Sequence, residues 1–135
     1  AGILDGLQAG DNAKAALLSR GLAEITRLGM ALNARHDTFA GLAGVGDLVT
    51  TCISPHGRNR SFGQAIGEGQ TVSQALGANN SVVEGAATTK SVVQLAANVG
   101  VDMPITQAVH DVLFADKTPA DAIADLMERP PRAES

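Results

Sequence analysis

The chain has 135 residues, enough for one domain that buries roughly two thirds of the surface its unfolded form exposes. Hydrophobic residues make up 44% and charged residues 18%, which is the balance of a folded chain and not of a disordered one. A net charge of −4 and near-absence of aromatic side chains (Phe39, Phe62 and Phe114) exclude a nucleic-acid binder, which needs a basic face and stacking platforms.

With so few rings, the core falls to Ala, Leu, Val and Ile, and Ala-rich surfaces let helices approach closely. Cys52 is alone, so there is no internal disulfide, and a reducing cytoplasm fits best. No run approaches the roughly 20 apolar residues of a membrane span, and no signal segment opens the chain. Ala1 is followed at once by a helix-like apolar run over residues 1–7 with no cap ahead of it, which leads us to expect a fragment of something longer.

In chain order, Gly10 ends the first run, and Asp11 or Asn12 offers a side-chain N-cap for a helix to about Asn33. Leu18, Leu22, Ile25, Gly29 and Leu32 recur at helical spacing, and Ala16, Leu17, Gly21 and Leu28 add a second apolar side. That pattern predicts a central helix packed on most of its circumference. Arg20, Glu24 and Arg27 form the remaining stripe, spaced for i,i+4 and i,i+3 pairing, and read as a solvated or domain-facing edge.

Short helices are expected over residues 39–42 and 47–53, then a turn at Ser54-Pro55-His56-Gly57. Residues 58–66 read as a helix ended by Gly67. Thr71–Gln74 and Ser81–Glu84 both have capping-box spacing. The second opens a helix to about Asn98, with Gly100 at C′. Pro104 suits the first turn of a helix to Phe114, and Thr118-Pro119-Ala120-Asp121 starts another. No alternating strand pattern is present. The expected fold is all-α, a single helical domain over residues 1–129 with a flexible tail at 130–135.

The densest polar chemistry lies in residues 41–60. Asp47, at a helix start, reads first as a cap against the helix dipole and second as an active-site carboxylate, with Thr51 one turn on at i+4. Gly57-Arg58-Asn59 is a stronger signal. A glycine before a helix start lets backbone N–H groups approach an anion, and Arg58 adds a two-pronged grip on phosphate. Glu84 is explained as the N3 member of a capping box. His36, His56, His110 and Cys52 lack metal-ligand spacing, so no metal site is expected, and no Gly-rich dinucleotide fingerprint follows a strand.

Several motifs occur in a family-specific order: DGLQAGDNAKAALLSRGLAEITRLG, FAGLAGVGDLVTTC, GRNRSFGQAIGEG, VVEG and VDMPITQAVHDVLF. From Ile3 to about Glu128 the chain resembles the C-terminal helical domain of bacterial NAD(P)-dependent glycerol-3-phosphate dehydrogenase. That domain is of the kind also found at the C-terminus of 6-phosphogluconate dehydrogenase. The resemblance implies a two-domain enzyme whose N-terminal Rossmann domain, absent from this chain, binds NAD or NADP. The full enzyme would interconvert sn-glycerol 3-phosphate and dihydroxyacetone phosphate in the cytoplasm for phospholipid synthesis.

The resemblance also implies roles for individual residues. Asp47 matches the substrate-site aspartate of a Gly-Asp-Leu motif, and Thr51 a hydroxyl near the catalytic centre. Arg58 and Asn59 match the pair that holds substrate phosphate, and Arg58 is expected to reach the cofactor as well. Val82 and Glu84 match cofactor contacts. An essential lysine is implied just upstream of the stretch matching residues 1–7, so this chain alone is expected to be folded and inactive. Gly57 stands where the family commonly has Ser, which removes one hydroxyl from the phosphate site. Expected partners are a small phosphate substrate, the N-terminal Rossmann domain and, as an open option, a second copy in a homodimer. Alternatives are a non-catalytic helical anion-binding or oligomerisation module, or the helical domain of a related hydroxy-acid dehydrogenase.

Overall fold

The computed structural model describes residues 1–35, 57–78 and 84–129, together with 37, 41, 44, 46, 48 and 49. Every regular element among these residues is helical, as expected. We number the helices α1 (Gly2–Gly6), α2 (Asp11–Ala31), α3 (Arg58–Gly67), α4 (Val72–Ala78), α5 (Glu84–Val99), α6 (Pro104–Phe114) and α7 (Pro119–Glu128). The expected helix at 39–42 lies outside the described residues. Of the one expected at 47–53, Leu48 and Val49 are described and are helical.

Local signals set most helix ends. At α4 the capping box forms in full: Thr71 N–H donates to Gln74 Oε1 at 2.9 Å, and Gln74 N–H donates to Thr71 Oγ1 at 3.1 Å. At α7, Thr118 Oγ1 accepts from Asp121 N–H at 3.2 Å, and Pro119 occupies the first turn. Five of the described helices close with a left-handed residue that lets the chain fold back on the last carbonyls. These residues are Gln8 (φ 56°), Asn33 (φ 67°), Gly69 (φ 107°), Gly100 (φ 70°) and Asp116 (φ 56°). In α2, for instance, Ala34 N–H reaches the Gly29 carbonyl at 2.8 Å and Asn33 N–H the Met30 carbonyl at 3.0 Å.

One expected cap is corrected. The N-cap of α2 is Gly10, with φ 88°, and no side chain caps that helix. Asp11 is already its first helical residue, so neither Asx side chain serves as the cap.

The core gathers Phe62 and Ile66 of α3, Ala75 of α4, Val112 of α6 and Ala122 of α7. Phe62 and Ile66 are one turn apart, so a single face of α3 anchors this cluster. Against it pack Ile3, Val72, Ala86 and Leu113. The α1–α3 contact is closer still. A Cβ on Gly2 would overlap the Arg60 carbonyl, one on Gly6 the Gln64 carbonyl, and one on Gly67 the Ile3 carbonyl. The two helices therefore meet backbone to backbone, which only glycine permits.

The expectation for α2 is overturned. Its apolar seam is not fully packed: Ile25 and Leu32 are 40% and 47% exposed. Its buried residue is Glu24, at 2% exposure. The supposed solvated stripe is the face that docks. Glu24 Oε1 accepts from Ile105 N–H at 2.7 Å, and Oε2 accepts from Thr106 N–H at 2.9 Å and Thr106 Oγ1–H at 2.7 Å. Arg20 donates to the Leu126 carbonyl at 3.4 Å and Arg27 to the Asp102 carbonyl at 3.0 Å. The physical reason lies in α6. Its N-cap is Met103, which has no side-chain acceptor, so the first N–H groups need a partner from another helix.

Candidate functional site

The start of α3 holds three of the residues singled out from sequence. Gly57 is its N-cap with φ −69° and ψ 126°, and as a glycine it offers the helix no side-chain cap. The first turn contains no acidic residue and carries Arg58 and Arg60 instead. A helix N-terminus holds roughly half a positive charge, so a cation there is unfavourable by about 0.3–1 kcal/mol. N–H groups without a capping partner among the described residues, beside an arginine of the wrong sign, have the character of an anion-binding helix start.

Three consecutive side chains leave this turn by three routes. Arg58 is exposed and has no hydrogen bond or ion pair among the described residues. Asn59 Oδ1 accepts from the backbone N–H of Gly85, at 3.0 Å, in the first turn of α5. Arg60 Nε donates to Asp5 Oδ2 of α1, at 2.8 Å. Gly85 has to be glycine for this, since a Cβ there would sit 2.7 Å from Asn59 Oδ1. The start of α5 is thereby pinned to the start of α3.

Asp5 is a hub. Its Oδ1 pairs with Lys14 of α2 at 2.6 Å while Oδ2 holds Arg60, and the three side chains are only 19–21% exposed. Burial alone would raise the Asp5 pKa, but Lys14 and Arg60 outweigh it and hold the carboxyl below its usual range. A lowered carboxylate pKa stabilises the fold at neutral pH, and that contribution is lost only as pH falls through the lowered value.

Of the residues singled out from sequence, Gly57, Arg58 and Asn59 form one turn, and Glu84 stands next to the glycine that Asn59 holds. Glu84 is the first residue of α5; its side chain and the partner expected at Ser81 lie outside the described residues. Asp47, Thr51 and Val82 also lie outside them. Sequence reasoning missed Asp5, Gly85 and Glu24. Gly85 carried a signal in the VVEG motif, and the signal for Glu24 was the uncapped Met103 ahead of Pro104. Among the described residues, no group of three His, Cys, Asp or Glu side chains could hold a metal ion. None of their helices is long and apolar enough to cross a membrane.

Comparison with known proteins fits this arrangement. Residues 1–124 match the family described as NAD-dependent glycerol-3-phosphate dehydrogenase C-terminus. The chain belongs to that family. A glycerol-3-phosphate dehydrogenase [NAD(P)+] of Salinibacter ruber is 56% identical over 135 residues, which is all of this chain and 40% of the relative. One from Geobacillus kaustophilus is 55% identical over 134 residues, covering 99% of this chain and 39% of the relative. The crystal structure of glycerol-3-phosphate dehydrogenase from Coxiella burnetii superposes with a TM-score of 0.92 at 44% identity, over 95% of this chain and 39% of that one. The chain thus spans about two fifths of the length of the curated relatives it matches, and corresponds to their C-terminal part. Its all-α architecture is that of the family's C-terminal domain.

Proposed function

We propose that residues 1–129 form the substrate domain of an NAD(P)-dependent glycerol-3-phosphate dehydrogenase, with residues 130–135 as a tail. An N-terminal Rossmann domain of the full protein would supply most of the cofactor site. The observation that carries this reading is the start of α3, where a glycine N-cap and a first turn without an acid coincide with an exposed arginine that has no partner among the described residues. Family membership turns a generic anion site into one for the phosphate of glycerol 3-phosphate or dihydroxyacetone phosphate.

In this reading Arg58 and the N–H groups after Gly57 grip the phosphate. A guanidinium fork matches two phosphate oxygens at once, and backbone donors add direction without reorganising. Asn59 spends Oδ1 on Gly85 and keeps its amide N–H groups for the ligand. The same bond sets the start of α5 beside the phosphate turn, and family resemblance assigns Val82 and Glu84 to the cofactor. An exposed Arg58, without a partner among the described residues, also suits an anionic cofactor, which would exchange hydride with C2 of the substrate when bound.

Asp47 and Thr51 are assigned to orient the substrate hydroxyls and a lysine that family resemblance puts shortly before Ala1. Gly2 lies against the Arg60 carbonyl, so a segment ahead of α1 would emerge near the phosphate turn. Holding reacting groups in place is an orientation effect, which accounts for a large part of such barriers. The full protein is read as cytoplasmic and able to pair as a homodimer. The test uses full-length protein: NAD(P)H-dependent reduction of dihydroxyacetone phosphate is expected. Arg58→Ala should lower kcat/KM for that substrate by about 100-fold, consistent with losing a charge-assisted pair of hydrogen bonds. Plain dihydroxyacetone should be affected far less, and equal losses on both would refute the role given to Arg58.

A further inference from the structure

We infer that Asp5 is a positioning residue for the phosphate site, acting through Arg60; this rests on the function proposed above. The α1–α3 pair does not need Asp5 for cohesion, because Gly2, Gly6 and Gly67 already interlock the two backbones. What the carboxylate adds is control of a side chain. Arg60 lies two residues from Arg58 in the same turn, and a free guanidinium there would be a second, mobile cation beside the anion site. Asp5 takes its Nε at 2.8 Å and is itself steadied by Lys14 at 2.6 Å.

On the other side of the turn, Asn59 is tied to Gly85 at 3.0 Å. The turn is thus held at both flanks, by α1 and by α5, with Arg58, exposed and without a partner among the described residues, between the two anchors. Each anchor is a directional bond, so the position of Arg58 and of the free N–H groups is set by both. Asp5 is 55 residues from Arg60 in sequence and touches no group assigned to substrate, so its effect on the site is indirect.

The experiment compares full-length wild-type protein with Asp5→Asn, Asp5→Glu and Arg60→Gln. With dihydroxyacetone phosphate, Asp5→Asn should raise KM about tenfold and leave kcat within about twofold, the scale of one charge-assisted hydrogen bond. KM for plain dihydroxyacetone should not change. Arg60→Gln should reproduce the rise, and it keeps the test available if Asp5→Asn fails to fold. Asp5→Glu, which retains a carboxylate, should recover KM to within about threefold of wild type. In an Arg58→Ala background, Asp5→Asn should raise KM by clearly less than tenfold, since only the N–H groups are left to misplace. An unchanged or lower KM for the phosphate substrate would overturn the proposal, as would equal losses on both substrates or additivity with Arg58→Ala. Calorimetric titration with inorganic phosphate separates the two claims. If wild-type protein does not reduce dihydroxyacetone phosphate but binds phosphate about tenfold more tightly than Asp5→Asn, the enzyme reading fails and the positioning role stands.

Discussion

Two helix starts in this molecule solve the same problem in opposite ways. At α6 the first N–H groups are filled from inside, by the Glu24 carboxylate buried to 2% exposure and holding Ile105 and Thr106. At α3 the first turn has no capping side chain and no acid, and Arg58 adds charge of the wrong sign. A helix N-terminus saturated by the protein's own carboxylate is architecture. One with a glycine N-cap, and with a cation that has no partner among the described residues, carries a local cost that an anion would remove in the function proposed.

Breaking the closed end should have the largest effect. Glu24→Ala leaves two part-buried N–H groups and a hydroxyl without their acceptor and should cost about 3 kcal/mol of stability in denaturant unfolding. Glu24→Gln, which keeps the shape but offers a donor where an acceptor is needed, should cost about 2 kcal/mol. Neither change should alter KM for a phosphate substrate at temperatures where the variant is folded. A KM effect would mean that the two helix starts are coupled.

The open end can be closed on purpose. Gly57 has an ordinary negative φ, so serine fits there without strain. Gly57→Ser should lower KM for dihydroxyacetone phosphate about fivefold if its hydroxyl reaches the phosphate, equivalent to about 1 kcal/mol. A rise in KM together with a gain in stability would show the hydroxyl capping α3 and competing with the ligand. The smallest effect is on the fold itself: Arg58→Ala should stabilise the ligand-free protein by about 0.5 kcal/mol, since it removes a cation from a helix N-terminus. Thermal unfolding measured without phosphate or cofactor checks the sign.

Which of these features could be read from sequence follows from how far apart the partners lie. Thr71 with Gln74, Thr118 with Asp121, Pro104 and Gly100 act within one turn, and all were legible. Glu24 reaches residues 81 and 82 positions away, and Asp5 one 55 positions away, so neither pairing leaves a local trace. Periodicity shows which side of α2 is apolar, but not which side finds a neighbour. The polar stripe of Arg20, Glu24 and Arg27 docks because α6 lacks a cap of its own, a need written near residue 103 and met at residue 24. At the candidate site, the helix start at Gly57–Asn59 was legible because glycine, helix start and arginine are contiguous, and its anion-binding role is the proposal built on it. Its attachment to α1 and α5 was not, since those contacts exist only in the folded chain.

The most direct test is a crystal structure of the full-length protein with sn-glycerol 3-phosphate. We expect phosphate oxygens within hydrogen-bond distance of the Arg58 guanidinium and of the N–H groups that follow Gly57. A phosphate bound elsewhere, with the start of α3 still open and Arg58 still unpaired, would contradict the assignment of this helix start as the substrate site.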